Sequence, residues 1–266
     1  MKLKSRATGD RSRPPRAQVL GCPVDVVDMD GAVQALIRFV DEHRAGDAAP
    51  ALVVTLNPEM VMRGRRDPQF RRAVESAALL VPDGIGIARA LRRRGYPNAA
   101  RVGGADLLAA YMPHAARLGH RLALAGARPG VAEEAAQRLT ARYPNLQVVA
   151  TDAGAPDAAL ARRLHDAHPD LVLAAFGAGL QELFLTRYLE AIDASVGIGV
   201  GGTIDYLSGR VRRAPVLLQR AGLEWAWRLG RQPSRLRRQS VLPRFWLLER
   251  REAAAIARRA SRKPRP

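Results

Sequence analysis

Short apolar runs alternate along this chain with longer segments whose apolar positions fall three and four apart, a pattern that predicts strands and helices in turn. The strand candidates include Ala51 to Thr55, Ala78 to Val81, Arg121 to Ala125, Leu146 to Thr151, Leu171 to Phe176 and Val196 to Val200. Between them, Val33, Leu36, Ile37 and Val40 predict a helix capped by Asp28 or Asp30 and running to about Arg44. Further helices are expected from Ile85 to Arg94, from Pro129 to near Tyr143-Pro144, from Pro156 to His165 and from Gln181 to Ile192. Regular alternation of this kind argues for an α/β fold: a Rossmann-like, mostly parallel sheet with helices on both faces.

After Asp205 the alternation stops at Arg212-Arg213-Ala214-Pro215, and the remaining sequence reads as helical. Three parts are therefore expected: a disordered basic leader over 1–17, an α/β core over 18–209, and a helical appendage over 210–266. Pro233 and Pro243 should divide the appendage into short helices, the last running from Leu247 to about Arg259.

Composition narrows the picture. A chain of 266 residues, 47% of them hydrophobic, can bury one large core without staples. Its single cysteine, Cys22, has no partner for an intramolecular disulfide, and no cysteine-histidine cluster has zinc-ligand spacing, which fits a reducing, cytosolic compartment. The basic N-terminus lacks the apolar centre of a signal peptide, and no apolar run approaches the roughly 20 residues of a membrane span. The net charge of +18 is concentrated at one end: from Arg210 onward 17 Arg or Lys face 3 acids. With Trp225, Trp227, Phe245 and Trp246 among them, these cations suit an anionic membrane surface; nucleic acid would attract the same charge, and a solvated basic helix would show the same composition.

Polar residues fall where strands end, and open α/β sheets bind ligands at those ends. Asp83 follows Val81-Pro82 on a tight turn, where it can serve as a general base or stabilise the turn and cap the next helix. Thr55 and Asn57 offer a hydroxyl and an amide to a sugar, or cap the helix that Pro58 opens. The stretch Gly197-Ile-Gly-Val-Gly201-Gly-Thr203 lets backbone approach a diphosphate, although it departs from the dinucleotide fingerprint, and a purely structural glycine turn is the alternative. Asp28-Met29-Asp30 has the form of a cation-binding D-x-D but sits at an expected helix cap, and no metal site is assigned. His43, His114, His120, His165 and His168 show no shared ligand spacing and are expected at the surface.

The ordered set of motifs resembles the WecG/TagA/CpsF family of bacterial glycosyltransferases. It comprises Gly21-Cys-Pro-Val-Asp25, Thr55-Leu-Asn57-Pro-Glu59, Val81-Pro-Asp83-Gly84, Arg101-Val-Gly-Gly-Ala-Asp106-Leu107, Gly177 to Glu182, Gly199 to Asp205, Arg213-Ala-Pro215 and Gly222-Leu-Glu-Trp225. The resemblance implies an inverting, metal-independent transfer of a hexose or N-acetylhexosamine, of glucose or N-acetylmannosamine type. The donor would be a UDP-sugar and the acceptor an undecaprenyl-diphosphate-linked sugar, in surface polysaccharide or exopolysaccharide biosynthesis. In that picture Asp83 is the base, with Thr55 and Asn57 beside it in the sugar pocket. Arg101, Gln181 and Asp205 bind substrate, and Gly201 belongs to the diphosphate turn. Arg228, Arg235 and Arg238 of the appendage would supply cations to the leaving group in place of a metal.

No cofactor is implied. The enzyme would lie on the inner face of the cytoplasmic membrane as a peripheral protein of the cell envelope, without nucleic acid, and self-association is left open. Gly179 and Leu180 stand where family members usually carry proline and lysine, so contacts from that loop are expected to differ. A nucleotide-dependent oxidoreductase and a non-catalytic nucleic-acid-binding protein are the alternatives from other classes.

Overall fold

The computed structural model describes residues 13–215, 217–218, 224–231 and 239–261. It opens with a hairpin of β1 (Arg16–Val19) and β2 (Cys22–Asp25), joined through Leu20 and Gly21 at φ 52° and 78°. Two positive φ values match the right-handed twist of the flanking strands. The first strand thus begins at Arg16, which pairs with the Asp25 carboxylate at 2.7 Å. Asp25 also accepts the Leu80 N–H at 2.8 Å, which fastens the hairpin to the main sheet.

That sheet contains β3 (Ala51–Leu56), β4 (Leu79–Pro82), β5 (Arg121–Gly126), β6 (Gln147–Asp152), β7 (Leu171–Ala175) and β8 (Val196–Gly199). All six run parallel, in the order β4-β3-β8-β7-β5-β6. Residues of β3 alternate between the two faces, yet every one is buried, as a sheet covered on both sides requires.

The helices before residue 210 are α1 (Met29–Arg44), α2 (Pro58–Gly64), α3 (Pro68–Glu75), α4 (Ile85–Arg92), α5 (Gly104–Leu118), α6 (Val131–Arg142), α7 (Ala158–Asp166), α8 (Leu180–Ile192) and α9 (Thr203–Leu207). One face packs Val54, Leu56 and Leu80 against α2, α3, α4, α7 and α8. The other packs Val53, Leu79 and Val81 against α1, α5, α6 and α9. Expected and observed boundaries differ by one or two residues. Asp28 caps α1, accepting the Gly31 N–H at 2.8 Å, and α6 starts after Gly130 at φ 81° rather than at Pro129.

Beyond residue 210 lie α10 (Glu224–Arg231) and α11 (Leu242–Ser261). Pro243 marks a division, as expected: residue 239 is helical, 240 and 241 form a turn, and α11 opens at Leu242, ahead of the expected Leu247. The proline occupies the first turn of α11, where its missing N–H breaks no bond. Pro233 lies outside the described residues. Helix α11 docks on the core: Phe245 is fully buried, Glu249 pairs with Arg93 and Arg94, and Glu252 pairs with Arg94.

Candidate active site

The strand order makes β3 and β8 neighbours, and their chains leave in opposite directions. Strand β3 continues into α2 on one face of the sheet, while β8 continues into α9 on the other. A crevice opens at such a switch point, at the carboxyl ends of the strands. Thr55 stands there on β3, and its hydroxyl donates to the Gly199 carbonyl of β8 at 3.3 Å.

Asn57 is the N-cap of α2; its side-chain oxygen accepts the Met60 N–H at 3.0 Å, which leaves the amide NH2 as the group that a ligand could engage. Asp83 is held from two sides. Its N–H donates to the Leu56 carbonyl at 2.9 Å, and the preceding Pro82 carbonyl accepts the Val102 N–H at 2.9 Å. The N-cap of α4 is the next residue, Gly84, at φ 89°. A side chain at 84 would be strained there, so the glycine sets the turn that carries the half-buried aspartate.

Helix α5 begins beside Thr55: a Cβ on Gly104 would stand 3.2 Å from the threonine methyl. Two arginines meet on this helix's first turn, because Asp106 accepts Arg101 at 2.5 Å and Arg213 at 2.7 Å. The Arg213 guanidinium also lies 5.9 Å from the centre of the Tyr206 ring. The two guanidinium groups thus share one carboxylate at the start of α5, next to Thr55.

Across the crevice, Gln181 is almost fully buried and accepts the Gly201 N–H at 3.1 Å while donating to Glu182 at 2.7 Å. Burial pushes the Glu182 carboxyl above its usual range, and hydrogen bonds from Gly179 and Gln181 oppose that rise. Arg63 of α2 donates to the Ala178 carbonyl at 2.9 Å, tying the loop before α8 to the junction after β3. Asp205 sits farther along the rim on α9, with Arg128 at 3.9 Å.

Thr55, Asn57, Asp83 and Arg101 therefore gather around β3, β4 and the start of α5, while Gln181, Gly201 and Asp205 gather on the β7 and β8 side. Arg228 belongs to α10, and Arg235 and Arg238 lie outside the described residues. Glu182, Asp106 and Arg213 were visible in the sequence only as members of quoted motifs, with no role attached. Arg63 carried no signal. His120, expected at the surface, is fully buried, with Nδ1 2.5 Å from the Tyr111 hydroxyl oxygen.

Fold and rim together define a doubly wound α/β protein with a polar crevice at its switch point. The sequence model of the "Glycosyl transferase WecG/TagA/CpsF family" matches residues 17–259, and the chain belongs to that family; it is a glycosyltransferase. It is 30% identical over 215 residues to an N-acetylglucosaminyldiphosphoundecaprenol N-acetyl-β-D-mannosaminyltransferase of Bacillus subtilis, covering 80% of this chain and 84% of the relative. A protein of the same name from Bacillus spizizenii is 29% identical over 226 residues, covering 84% of this chain and 88% of that one. Membership sets aside the oxidoreductase and nucleic-acid-binding alternatives.

Proposed function

We propose that this enzyme transfers a glucose-type or N-acetylmannosamine-type sugar from a UDP-sugar to an undecaprenyl-diphosphate-linked sugar, with inversion and without a metal. The observation that carries the reading is the Asp83 turn, held between the end of β3 and the Arg101 loop, one strand from the switch point between β3 and β8. The names of the Bacillus relatives supply the acceptor class and a β-linked product. A β linkage follows when an acceptor oxygen displaces an α-linked diphosphate in one in-line step.

In that step Asp83 takes the acceptor hydroxyl proton as the oxygen attacks the sugar's anomeric carbon. The bond to the diphosphate breaks and UDP leaves with the electron pair. Thr55 and Asn57 border the sugar. The first turn of α5, with Arg101 and Arg213, and the glycine turn after β8 supply positive potential for the leaving group. Asp205 lies on the nucleotide side, and Arg228, Arg235 and Arg238 add cations from the appendage.

The acceptor is a lipid, and no helix among the described residues is long and apolar enough to cross a membrane. Peripheral contact is supported by α11, whose two acids turn inward while Arg244, Arg250, Arg251, Arg258 and Arg259 face outward with Leu247 and Ile256. Such a face suits the anionic inner surface of the cytoplasmic membrane and a role in surface polysaccharide assembly.

The test is UDP release from a panel of UDP-sugars with a lipid-diphosphate-sugar acceptor in EDTA. Asp83→Asn should slow turnover by about 10²- to 10⁴-fold, the usual contribution of a positioned base, while UDP binding is kept. Turnover close to wild type in the variant would remove Asp83 from the mechanism, and loss of all release in EDTA would remove the metal-free step.

A further inference from the structure

We infer that Glu182 is a positioning residue for the donor diphosphate, acting through Gln181 on the glycine turn after β8; the inference rests on the donor reading proposed above. The turn from Gly199 to Gly202 has only the Val200 side chain with which to hold its own shape, and Gly201 takes a left-handed φ of 48°. Neighbouring elements hold the turn: the Val200 N–H donates to the Ala174 carbonyl at 2.8 Å, the Thr55 hydroxyl to the Gly199 carbonyl, and the Gly201 N–H, at the apex, to Gln181 Oε1 at 3.1 Å.

The Gln181 amide can point only one way. Glu182 offers it nothing but acceptors and the Gly201 N–H nothing but a donor, so Nε2 must face the carboxylate at 2.7 Å and Oε1 must face the turn. The second Glu182 oxygen accepts the Gly179 N–H at 2.5 Å, which secures the loop before α8 as well. The two side chains are 4% and 1% exposed. A Cβ on Gly199 would stand 2.5 Å from Gln181 Nε2 and 2.6 Å from Glu182 Oε1, so amide and carboxylate lie flat on the end of β8.

A carboxylate withdrawn this far from water is costly unless its geometry does something. Here it joins the loops that leave β7 and β8 and fixes which backbone N–H groups the glycine turn presents to a phosphate. Gln181 then shapes the turn, and its amide is already engaged at both ends.

The experiment is calorimetric UDP binding, with donor and acceptor KM values, on the full chain. Glu182→Gln leaves one acceptor where two donors need one each: its NH2 meets the Gln181 NH2 or the Gly179 N–H, or Gln181 flips and two donors meet at Gly201, and in each case the loop and the turn lose their common brace. UDP binding should weaken about tenfold, as expected for one buried hydrogen bond, and donor KM should rise in step while acceptor KM holds. The exchange Gln181→Glu with Glu182→Gln restores every donor-acceptor match with one buried charge, and UDP affinity should recover to within about threefold of wild type. If Gln181 touched the diphosphate directly, a carboxylate at 181 would weaken binding further.

Unchanged UDP binding in the single variant, equal rises in both KM values, or no recovery in the double variant would each overturn the inference. Should the single variant fail to melt cooperatively, the charge-preserving double variant carries the test alone. Absence of UDP binding in the wild type would overturn the donor reading itself.

Discussion

Truncating Phe245 to alanine probes how the appendage is held. The ring is fully buried where α11 crosses the starts of α2 and α4. A Cβ on Gly86 would lie 3.3 Å from it and 2.8 Å from Pro58, so the contact is tight on the core side. The ring also meets Trp246 edge-on at 5.8 Å. Removing a buried phenyl group costs about 3–5 kcal/mol. Helix α11 can open without the sheet, so this cost falls first on docking, with the remaining hold coming from Glu249, from Glu252 and from the Leu20 N–H on Glu252 at 2.9 Å. A loss of 3 kcal/mol raises the undocked population about 150-fold.

Hydrogen exchange of α11 amides and trypsin cleavage at Arg250, Arg251, Arg258 and Arg259 both read that population when reclosing is fast. Each rate should rise by about two orders of magnitude, up to the point where docking is lost altogether, while the sheet helices keep their protection. Residues 215–240, which carry Arg228, Arg235 and Arg238, connect α11 to the core, and turnover should fall with its docking. Unchanged exchange across α11 would refute the docking argument. Equal loss of protection in α5 and α6 would show that α11 is not a separable unit.

Gly197→Ala should destabilise the core by about 1–3 kcal/mol, because its Cβ would stand 2.9 Å from both Leu185 and Leu189; an unchanged urea midpoint would count against that packing. His120 is buried beside the Tyr111 hydroxyl, and burial, followed by the charge of Arg44, lowers its pKa from the ordinary 6.5, with Asp170 and Asp41 opposing. The unfolded chain therefore binds a proton that the folded one refuses, so this stabilisation is complete above about pH 6.5 and is lost as pH falls through the lower folded value. Melting temperature should drop between pH 7 and pH 5, and His120→Asn should flatten the slope; an equally steep slope in the variant would acquit His120 of the effect.

Much was legible before any tertiary structure. Continuous apolar runs such as Ala51 to Val54 marked strands buried on both faces, and Asp28, Asn57 and Pro58 marked helix starts through local hydrogen-bonding and φ preferences. The polar residues at strand ends followed from the same reading, because a parallel sheet brings all such ends to one edge.

What the chain alone left open was which ends are neighbours. Periodicity reports burial, which is a local property, whereas the order β4-β3-β8-β7-β5-β6 is decided by packing between segments far apart in sequence. Only that order sets Thr55 against Gly199 and puts the Arg101 loop beside Asp83. It also reassigns polar residues by direction: Gln181 turns inward to hold a glycine turn, and Glu249 turns inward to two arginines, while the neighbouring Arg250 and Arg251 face out. A glutamine or glutamate in a string of letters is simply polar; the partner that satisfies it is fixed by folding, since a buried polar group without one would cost more than the fold can spare.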